Sequence, residues 1–174
     1  MTKKDFLRRV AEDKSDFLQA FLSVLNDGKI PFCLIGGLAV NAYAEPVVSL
    51  DLDIVVEASR LDEAVQVLKR TFRVKRFPNS INISAPGSDL RIQIQGDLRY
   101  QDFLPRARVK DVLGYRLPVA RIEDVLLGKI WAAGDAARRP SKRHKDMADI
   151  LRLLEAKKSL AAMIPADLKR KLPL

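Results

Sequence analysis

The sequence predicts an α+β protein, in which a mixed sheet is flanked by helices and followed by a helical C-terminal part. Three observations support this fold class. A short apolar run over residues 30–35, IPFCLI, is typical of a buried strand, and a glycine pair ends it. Alternating runs such as SINIS and LRIQIQ, separated by turns that contain proline, predict further strands. From residue 122 onward, apolar residues recur at helical spacing.

The chain is long enough for one compact unit, because it has 174 residues, of which 48% are hydrophobic and 30% are charged. We place a core with an N-terminal helix over residues 1–120, and a C-terminal helical region over residues 121–174 that packs on this core. In the core, the patterns predict helix 4–27, strand 30–35, a short helix after Gly37, strand 51–57 and helix 59–72. Three strands follow, over 73–77, 80–84 and 90–95, and one more strand lies near 116–120. The C-terminal region is predicted to contain helix 122–135, a basic loop over 137–145, helix 145–156 and a short tail helix.

The cysteine content and the N-terminus indicate a cytoplasmic protein. The only cysteine, Cys33, lies in an apolar run, so no disulfide forms within the chain and a reducing compartment is expected. The N-terminal residues are charged throughout and lack the apolar core of a signal peptide. No run approaches the roughly 20 apolar residues of a membrane span, so a membrane is not an expected partner.

The net charge of +9 is unevenly distributed along the chain. Between Pro105 and Lys145 there are eleven Lys or Arg and four Asp or Glu, so +7 of the excess lies in this basic region, 105–145. Such a region is typical of a face that binds a polyanion, either RNA or a nucleoside triphosphate. A solvated surface rich in arginine explains the same composition, and the sequence does not choose between the two.

Two aspartates in the predicted strand 51–57 indicate a metal site. Side chains two residues apart on a strand share a face, so Asp51 and Asp53 project together. Paired carboxylates form a suitable binding site for Mg²⁺, with Mn²⁺ as the alternative, since these ions bind carboxylate, phosphate and water oxygens. Gly36 and Gly37 lack side chains, so the backbone there can approach a phosphate group closely.

The C-terminal helices carry charges that have two explanations. Lys142 with Asp146, and Lys145 with Asp149, are spaced as ordinary ion pairs four residues apart on one helix. The functional explanation directs Lys129 and Lys145 at a triphosphate across a cleft.

Two segments carry a resemblance to a known family. Residues 35–56, IGGLAVNAYAEPVVSLDLDIVV, combine the glycine pair with Asp-x-Asp, and residues 121–154, RIEDVLLGKIWAAGDAARRPSKRHKDMADILRLL, contain an interior lysine and Lys-Asp-x-x-Asp. Together they resemble the nucleotidyltransferase superfamily with the DNA polymerase beta-like fold. Within it, the chain is similar to small bacterial members related to the AbiEii-type toxins of toxin–antitoxin systems.

This resemblance implies a nucleotidyltransferase-type sheet and Mg²⁺-dependent transfer of a nucleoside monophosphate to RNA, a protein or a small molecule. Asp51 and Asp53 are implied as catalytic metal ligands. A cognate toxin or antitoxin is implied as a protein partner. The residues implied in triphosphate binding are Gly36, Gly37, Ser49, Gln93, Lys129 and Lys145.

The sequence departs from the family pattern at two positions. Val47 stands where members usually have an arginine, and Gln93 falls where active members carry a third carboxylate. An amide takes no proton at neutral pH, and Asp89 and Asp97 each lie about 13 Å from Gln93 along the strand. The paired motif and its basic flank favour an enzyme, while Gln93 is the ground for the alternative, a catalytically degenerate member that binds nucleotide, RNA or a partner protein.

Overall fold

A seven-stranded mixed sheet forms the centre of the computed structural model, which describes residues 1–13 and 15–172. The strands are β1 (Phe32–Ile35), β2 (Asp51–Val56), β3 (Arg73–Phe77), β4 (Ser80–Ser84), β5 (Arg91–Gln95), β6 (Arg108–Val112) and β7 (Tyr115–Val119). Their spatial order is β3-β4-β5-β2-β1-β7-β6. The helices are α1 (Lys3–Val10), α2 (Phe17–Asp27), α3 (Gly36–Val40), α4 (Leu61–Leu68), α5 (Ile122–Gly134), α6 (Pro140–Ala156) and α7 (Ala166–Lys169). The predicted mixed sheet with flanking helices is confirmed.

The strand pairing places β2 at the middle of the sheet. It runs antiparallel to β1 and parallel to β5, while β1 runs parallel to β7. The outer pairs, β3 with β4 and β6 with β7, are antiparallel. As a result, the Asp-x-Asp strand lies between the strand that ends in the glycine pair and the strand that carries LRIQIQ.

The burial pattern of β2 explains its alternating sequence. Leu52 and Ile54 are fully buried, while Asp51 and Asp53 are only partly buried and project from the other face. Helices α5 and α6 pack against each other and both contact α3, which follows β1. The boundary that we predict between 1–120 and 121–174 stays a prediction, and residues 173 and 174 lie outside the described part.

The single helix predicted over residues 4–27 is wrong, because the structure has two helices there, α1 and α2. Asp13 is buried, and its carboxylate accepts a hydrogen bond from the Phe17 amide at 2.8 Å. Asp16 has a φ of 54° and caps α2 through its side chain. These short acidic side chains satisfy backbone donors locally, so one helix ends before the next begins. Residue 14 of the predicted helix lies outside the described residues.

Two further boundaries differ from the prediction. The segment before residue 116 contains a 3₁₀ helix (Leu98–Arg106) and β6, which forms a hairpin with β7. The hairpin turns at Leu113 and Gly114, where both φ values are positive, as the right-handed twist of hairpins favours. Helix α6 begins at Pro140 rather than at residue 145, because proline is well suited to the first helical position.

The described residues include no helix that is both long and apolar enough to cross a lipid bilayer.

The Cys33 thiol provides a check of the central sheet. Cys33 is buried in β1, and burial raises the pKa of its thiol to about 12. We expect no alkylation by iodoacetamide in the folded protein at pH 8, and rapid alkylation in urea, because only the thiolate reacts. Mass spectrometry measures both rates. Alkylation of the folded protein as fast as that of a small free thiol would contradict this placement of β1.

Candidate functional site

The glycine pair turns the chain directly against the carboxylate of Asp53. Strand β1 ends at Ile35, which pairs with Asp53, and Gly36 follows with a φ of +71°. A Cβ atom at Gly36 would lie 2.4 Å from Asp53 Oδ2, which is closer than any real contact. Glycine is therefore required at this position for two reasons, since L side chains rarely adopt the backbone conformation and no room exists for one.

Burial and neighbouring charges set the protonation of Asp53. Burial raises the pKa of the Asp53 carboxyl. The Lys129 ammonium acts in the opposite direction, and the Asp51 carboxylate, two residues away on the same face, raises the pKa further. A cation bound between the two carboxylates would relieve both the desolvation and the repulsion.

Two cations hold the Asp51 carboxylate. Arg91 Nε lies 2.9 Å from Asp51 Oδ1, and Lys142 Nζ lies 3.5 Å from Asp51 Oδ2. Arg91 reaches this position because it is the register partner of Asp51 in the parallel pair of β2 and β5. Lys142 comes from the first turn of α6, which the early start of that helix brings over β2.

Gln93 lies directly beside Asp53, at the position that the family pattern assigns to a third carboxylate. The register pairs Gln93 with Asp53 on one side and with Asn82 of β4 on the other. Asp97 is paired with Arg99 at 2.6 Å, so it does not replace the missing group. Within the described residues, no cluster of three or more His, Cys, Asp or Glu is close enough to hold a metal.

Two clefts meet at these strands. The first lies between the glycine turn and α5 and has a volume of about 90 Å³, and the second opens in front of β5 and has a volume of about 310 Å³. Both are lined by Asp53, Gln93 and Arg138, so they are continuous. The first also includes Gly36 and Lys129 in its lining. The second is also lined by Asp51, Asn82, Arg91 and Lys142.

Lys129 is buried within a group of ion pairs behind the glycine turn. Its Nζ lies 2.9 Å from Asp146 Oδ1 and 2.7 Å from Asp149 Oδ2. Arg138 contacts the second oxygen of Asp146 at 2.6 Å, and Arg152 contacts Asp149 at 2.8 Å. We call these five residues the buried charge cluster. Both aspartates therefore have cationic partners, and Lys129 reaches the first cleft from its inner wall.

Lys142 and Lys145 occupy different environments on α6. The predicted helical pairs Lys142–Asp146 and Lys145–Asp149 are wrong, because Lys142 faces Asp51 and both aspartates bind Lys129. Lys145 is exposed, and the linings of the two clefts include Lys142 and Lys129 but not Lys145. Its role in triphosphate binding stays a prediction.

The segment that leads into β2 contains three further predicted positions, Gly37, Val47 and Ser49. The Asp51 amide donates to Ser49 Oγ at 3.3 Å, so Ser49 shapes the start of the strand. A Cβ atom at Gly37 would lie 3.6 Å from Asp149 Oδ2, which places this glycine next to the buried charge cluster. The Val47 amide and carbonyl are both bonded to the side chain of Asn41.

The basic region 105–145 is partly neutralised within the protein. Arg106 and Arg121 lie 2.8 Å and 3.3 Å from the carboxylate of buried Asp124. Lys129 and Arg138 bind Asp146 in the buried charge cluster. Asp124 is already counted in the excess of +7, whereas Asp146 lies outside the region, so its contacts with Lys129 and Arg138 lower the positive charge that the region presents to solvent.

Sequence reasoning missed Arg91, Arg138 and Lys142 as residues of the site. For Arg91 a signal existed, since it lies two residues before Gln93 and so shares its strand face. For Lys142 and Arg138 no comparable local signal exists, because both reach the site through the packing of α6 and the segment before it.

The close approach at Gly36 leads to a prediction with a matched control. Gly87 also has a positive φ, of +74°, but a Cβ atom there would meet nothing within 4 Å. We expect Gly87→Ala to lower the free energy of unfolding by about 1 kcal/mol, through the backbone alone. Gly36→Ala should cost about 1–3 kcal/mol more, because the added methyl also displaces Asp53. Urea denaturation measures both, and equal losses would contradict the tight packing at Gly36.

The partly buried carboxylate of Asp53 leads to a second prediction, on stability and pH. The unfolded pKa is near 3.8 and the folded pKa is higher, so the native state loses stability as pH rises between the two values. Asp53→Asn removes this loss, so at pH 7 it should raise the free energy of unfolding. The gain should vanish below pH 3.8.

The control for this variant is Asp62→Asn, because Asp62 forms an exposed ion pair with Arg76 and its side chain is 90% exposed. Its effect should stay within about 0.5 kcal/mol at both pH values. If Asp53→Asn instead lowers the free energy of unfolding at pH 7, the ionised Asp53 carboxylate does not destabilise the native state.

The fold matches solved structures of nucleotidyltransferases. The antibiotic-resistance factor ANT(2'')-Ia aligns with a TM-score of 0.64 at 11% identity, over 88% of this chain and 90% of that chain. The lincosamide antibiotic adenylyltransferase LnuA aligns with a TM-score of 0.55 at 14% identity, over 80% of this chain and 98% of its own. An antigenic nucleotidyltransferase-like protein from Paracoccidioides brasiliensis gives 0.56 at 16% identity, over 99% and 91%.

A scan of protein-family models and a search of curated proteins gave no significant match to this chain. The narrower similarity to AbiEii-type toxins stays a prediction. The predicted fold is confirmed: this chain has the fold of the nucleotidyltransferase superfamily.

Proposed function

We propose that this protein transfers a nucleoside monophosphate from a nucleoside triphosphate to an acceptor, with Mg²⁺ held by Asp51 and Asp53. The single observation that supports this most strongly is the meeting of three features in one place. The two carboxylates project from β2, the glycine turn approaches Asp53 without a side chain, and cationic side chains line the cleft beside them. A triphosphate has a charge complementary to such a cleft.

The donor set fits one Mg²⁺. Mg²⁺ usually binds one or two carboxylates and completes its shell with phosphate oxygens and water. Asp53 Oδ2 packs directly against the Gly36 backbone, so no side chain at residue 36 stands between this carboxylate and the cleft. Mn²⁺ would use the same oxygens. When bound, the ion supplies charge neutralisation across the triphosphate and polarisation of the phosphoryl group that is transferred.

The side chains of this chain then have distinct tasks. Arg91, Arg138 and Lys142 line the second cleft, where guanidinium and ammonium groups bind phosphate oxygens. The backbone at Gly36 sets the approach of the ligand to β2. Lys129 counters the raised pKa of the Asp53 carboxyl, so it helps keep this ligand ionised. Gln93 offers an amide to the substrate beside Asp53.

A second candidate function is nucleotide binding without turnover, and Gln93 is the observation that favours it. A side-chain amide has no basic site at neutral pH, so it does not remove a proton from the acceptor hydroxyl. The other acidic residues lining the first cleft are Asp124 and Asp146, and both are engaged by arginine or lysine. In this case the binding residues would be the same and the chemistry would be absent.

A cleft beside the first one is the candidate site for the acceptor. A third cleft, of about 910 Å³, adjoins the first through Gln95, Tyr100 and Arg138. Among the solved structures, ANT(2'')-Ia holds adenylyl-2''-tobramycin and LnuA holds lincomycin. We propose that the third cleft receives the acceptor hydroxyl, from a small molecule, a protein or an RNA that also contacts the basic region 105–145. A cytoplasmic role beside a cognate toxin or antitoxin is part of the same proposal.

Nucleotide transfer is tested with each of the four α-³²P-labelled triphosphates, Mg²⁺ or Mn²⁺, and total RNA, cell protein or aminoglycosides as acceptors. We expect label transfer that is lost in Asp51→Asn. Gln93→Asp restores a carboxylate beside Asp53 and should raise the rate by about 10²-fold, within the usual range of general base catalysis. Gln95→Asp, which adds the same charge two residues along β5, should not raise it.

The outcomes separate the two candidate functions. Absence of transfer by the wild type, together with calorimetric binding of a triphosphate and Mg²⁺, supports binding without turnover. Absence of both binding and transfer removes both candidates.

A further inference from the structure

The Asp51 carboxylate has a cation at each of its two oxygens. Arg91 Nε lies 2.9 Å from Oδ1, and Lys142 Nζ lies 3.5 Å from Oδ2. A magnesium ion requires at least one of these oxygens and repels both cations. The arrangement seen in the structure is therefore incompatible with a metal ion on Asp51, unless the two side chains move.

Both side chains are free enough to move. The side chain of Arg91 is 70% exposed and that of Lys142 is 40% exposed. Ion pairs of this kind change an equilibrium constant by no more than about fivefold, because solvent screens them and long side chains lose entropy in forming them. Lys129, in contrast, has a side chain that is only 8% exposed and is held between two aspartates.

The ion pair is not needed to align β2 with β5. Leu52 and Ile54 of β2 lie beside Ile92 and Ile94 of β5, and all four are buried. A slip of one residue would expose these side chains, so the apolar pattern already fixes the register. The pairing of Asp51 with Arg91 is thus available for another purpose.

The structure offers a new partner for each displaced cation. Arg91 and Lys142 line the second cleft together with Asp53 and Arg138, where the proposed triphosphate lies. Phosphate oxygens bind guanidinium in a bidentate manner and ammonium as a point charge. A cation that leaves Asp51 can therefore bind phosphate within the same cleft.

We propose that Arg91 and Lys142 act as exchangeable counterions, which bind Asp51 before the ligand arrives and bind the triphosphate after a metal ion takes Asp51. This inference rests on the proposed function, since it concerns the same cleft. It makes metal and triphosphate binding cooperative. The metal ion releases Arg91 and Lys142 for the phosphate groups, and the triphosphate binds the two cations that would otherwise compete with the metal ion for Asp51. Metal alone binds weakly, because it must leave two cations without a partner.

The experiment uses Mn²⁺ and inorganic tripolyphosphate, which needs no knowledge of the base. Electron paramagnetic resonance of free Mn²⁺ gives the dissociation constant of the metal alone. Calorimetry gives that of tripolyphosphate in EDTA and that of the preformed 1:1 Mn²⁺–tripolyphosphate complex. The variants are Arg91→Gln and Lys142→Gln. The control is Arg76→Gln, which removes an exposed strand arginine that is paired with Asp62 at 2.7 Å.

We expect Arg91→Gln to tighten binding of Mn²⁺ alone by up to about fivefold, the value of an exposed ion pair. The same variant should weaken binding of the preformed Mn²⁺–tripolyphosphate complex by about tenfold, as for a lost hydrogen bond to a charged group. It should weaken metal-free tripolyphosphate less, because Arg91 then stays on Asp51. Lys142→Gln should act in the same directions to a smaller extent, and Arg76→Gln should change none of these constants.

Two results overturn the exchange. One is an unchanged or weakened affinity of Arg91→Gln and Lys142→Gln for Mn²⁺ alone. The other is unchanged binding of the Mn²⁺–tripolyphosphate complex in both variants, which leaves the proposed function intact. If neither tripolyphosphate nor any of the four nucleoside triphosphates binds the wild type, the proposed function fails, and the exchange fails with it.

Discussion

The buried charge of Lys129 is the constraint on which the site depends. Asp146 and Asp149 of α6 are buried, and the ammonium of α5 lies within 2.9 Å of one and 2.7 Å of the other. Removing one partner of such a group typically costs about 3–5 kcal/mol, because an uncompensated charge stays inside. Gly37 packs next to the same cluster. The cluster therefore joins α5, α6 and the glycine turn into one rigid wall behind Asp53.

The opposite side of the site is built from weaker contacts. The pairs of Asp51 with Arg91 and Lys142 are partly exposed, and they occur where a ligand would enter. This contrast is suited to binding a charged substrate. The buried charge cluster behind Asp53 keeps its geometry, while Arg91 and Lys142 at the cleft entrance can exchange Asp51 for the substrate. Strong ion pairs at the cleft entrance would compete with ligand binding. Weak ion pairs behind Asp53 would allow the glycine turn to change position.

The sequence predicts those parts of the fold that depend on local pattern. The apolar alternation of β2 places Asp51 and Asp53 on one face, and the same alternation in β5 places Gln93 where it lies beside Asp53. The break between α1 and α2 is different, because the polar contacts of a buried aspartate outweigh helical periodicity there. The partners of Asp51 were also missed, since Lys142 reaches it only through the packing of α6 on the sheet.

The amide of Gln93 has a consequence for how this protein reaches its native state. A third carboxylate there would add a negative charge to Asp51 and Asp53, and such a site would be strained until a metal ion arrived. With an amide, the two negative charges of β2 stand beside the two positive charges of Arg91 and Lys142. The charges at this edge of the sheet balance, so the native state does not depend on a divalent ion to offset repulsion between carboxylates.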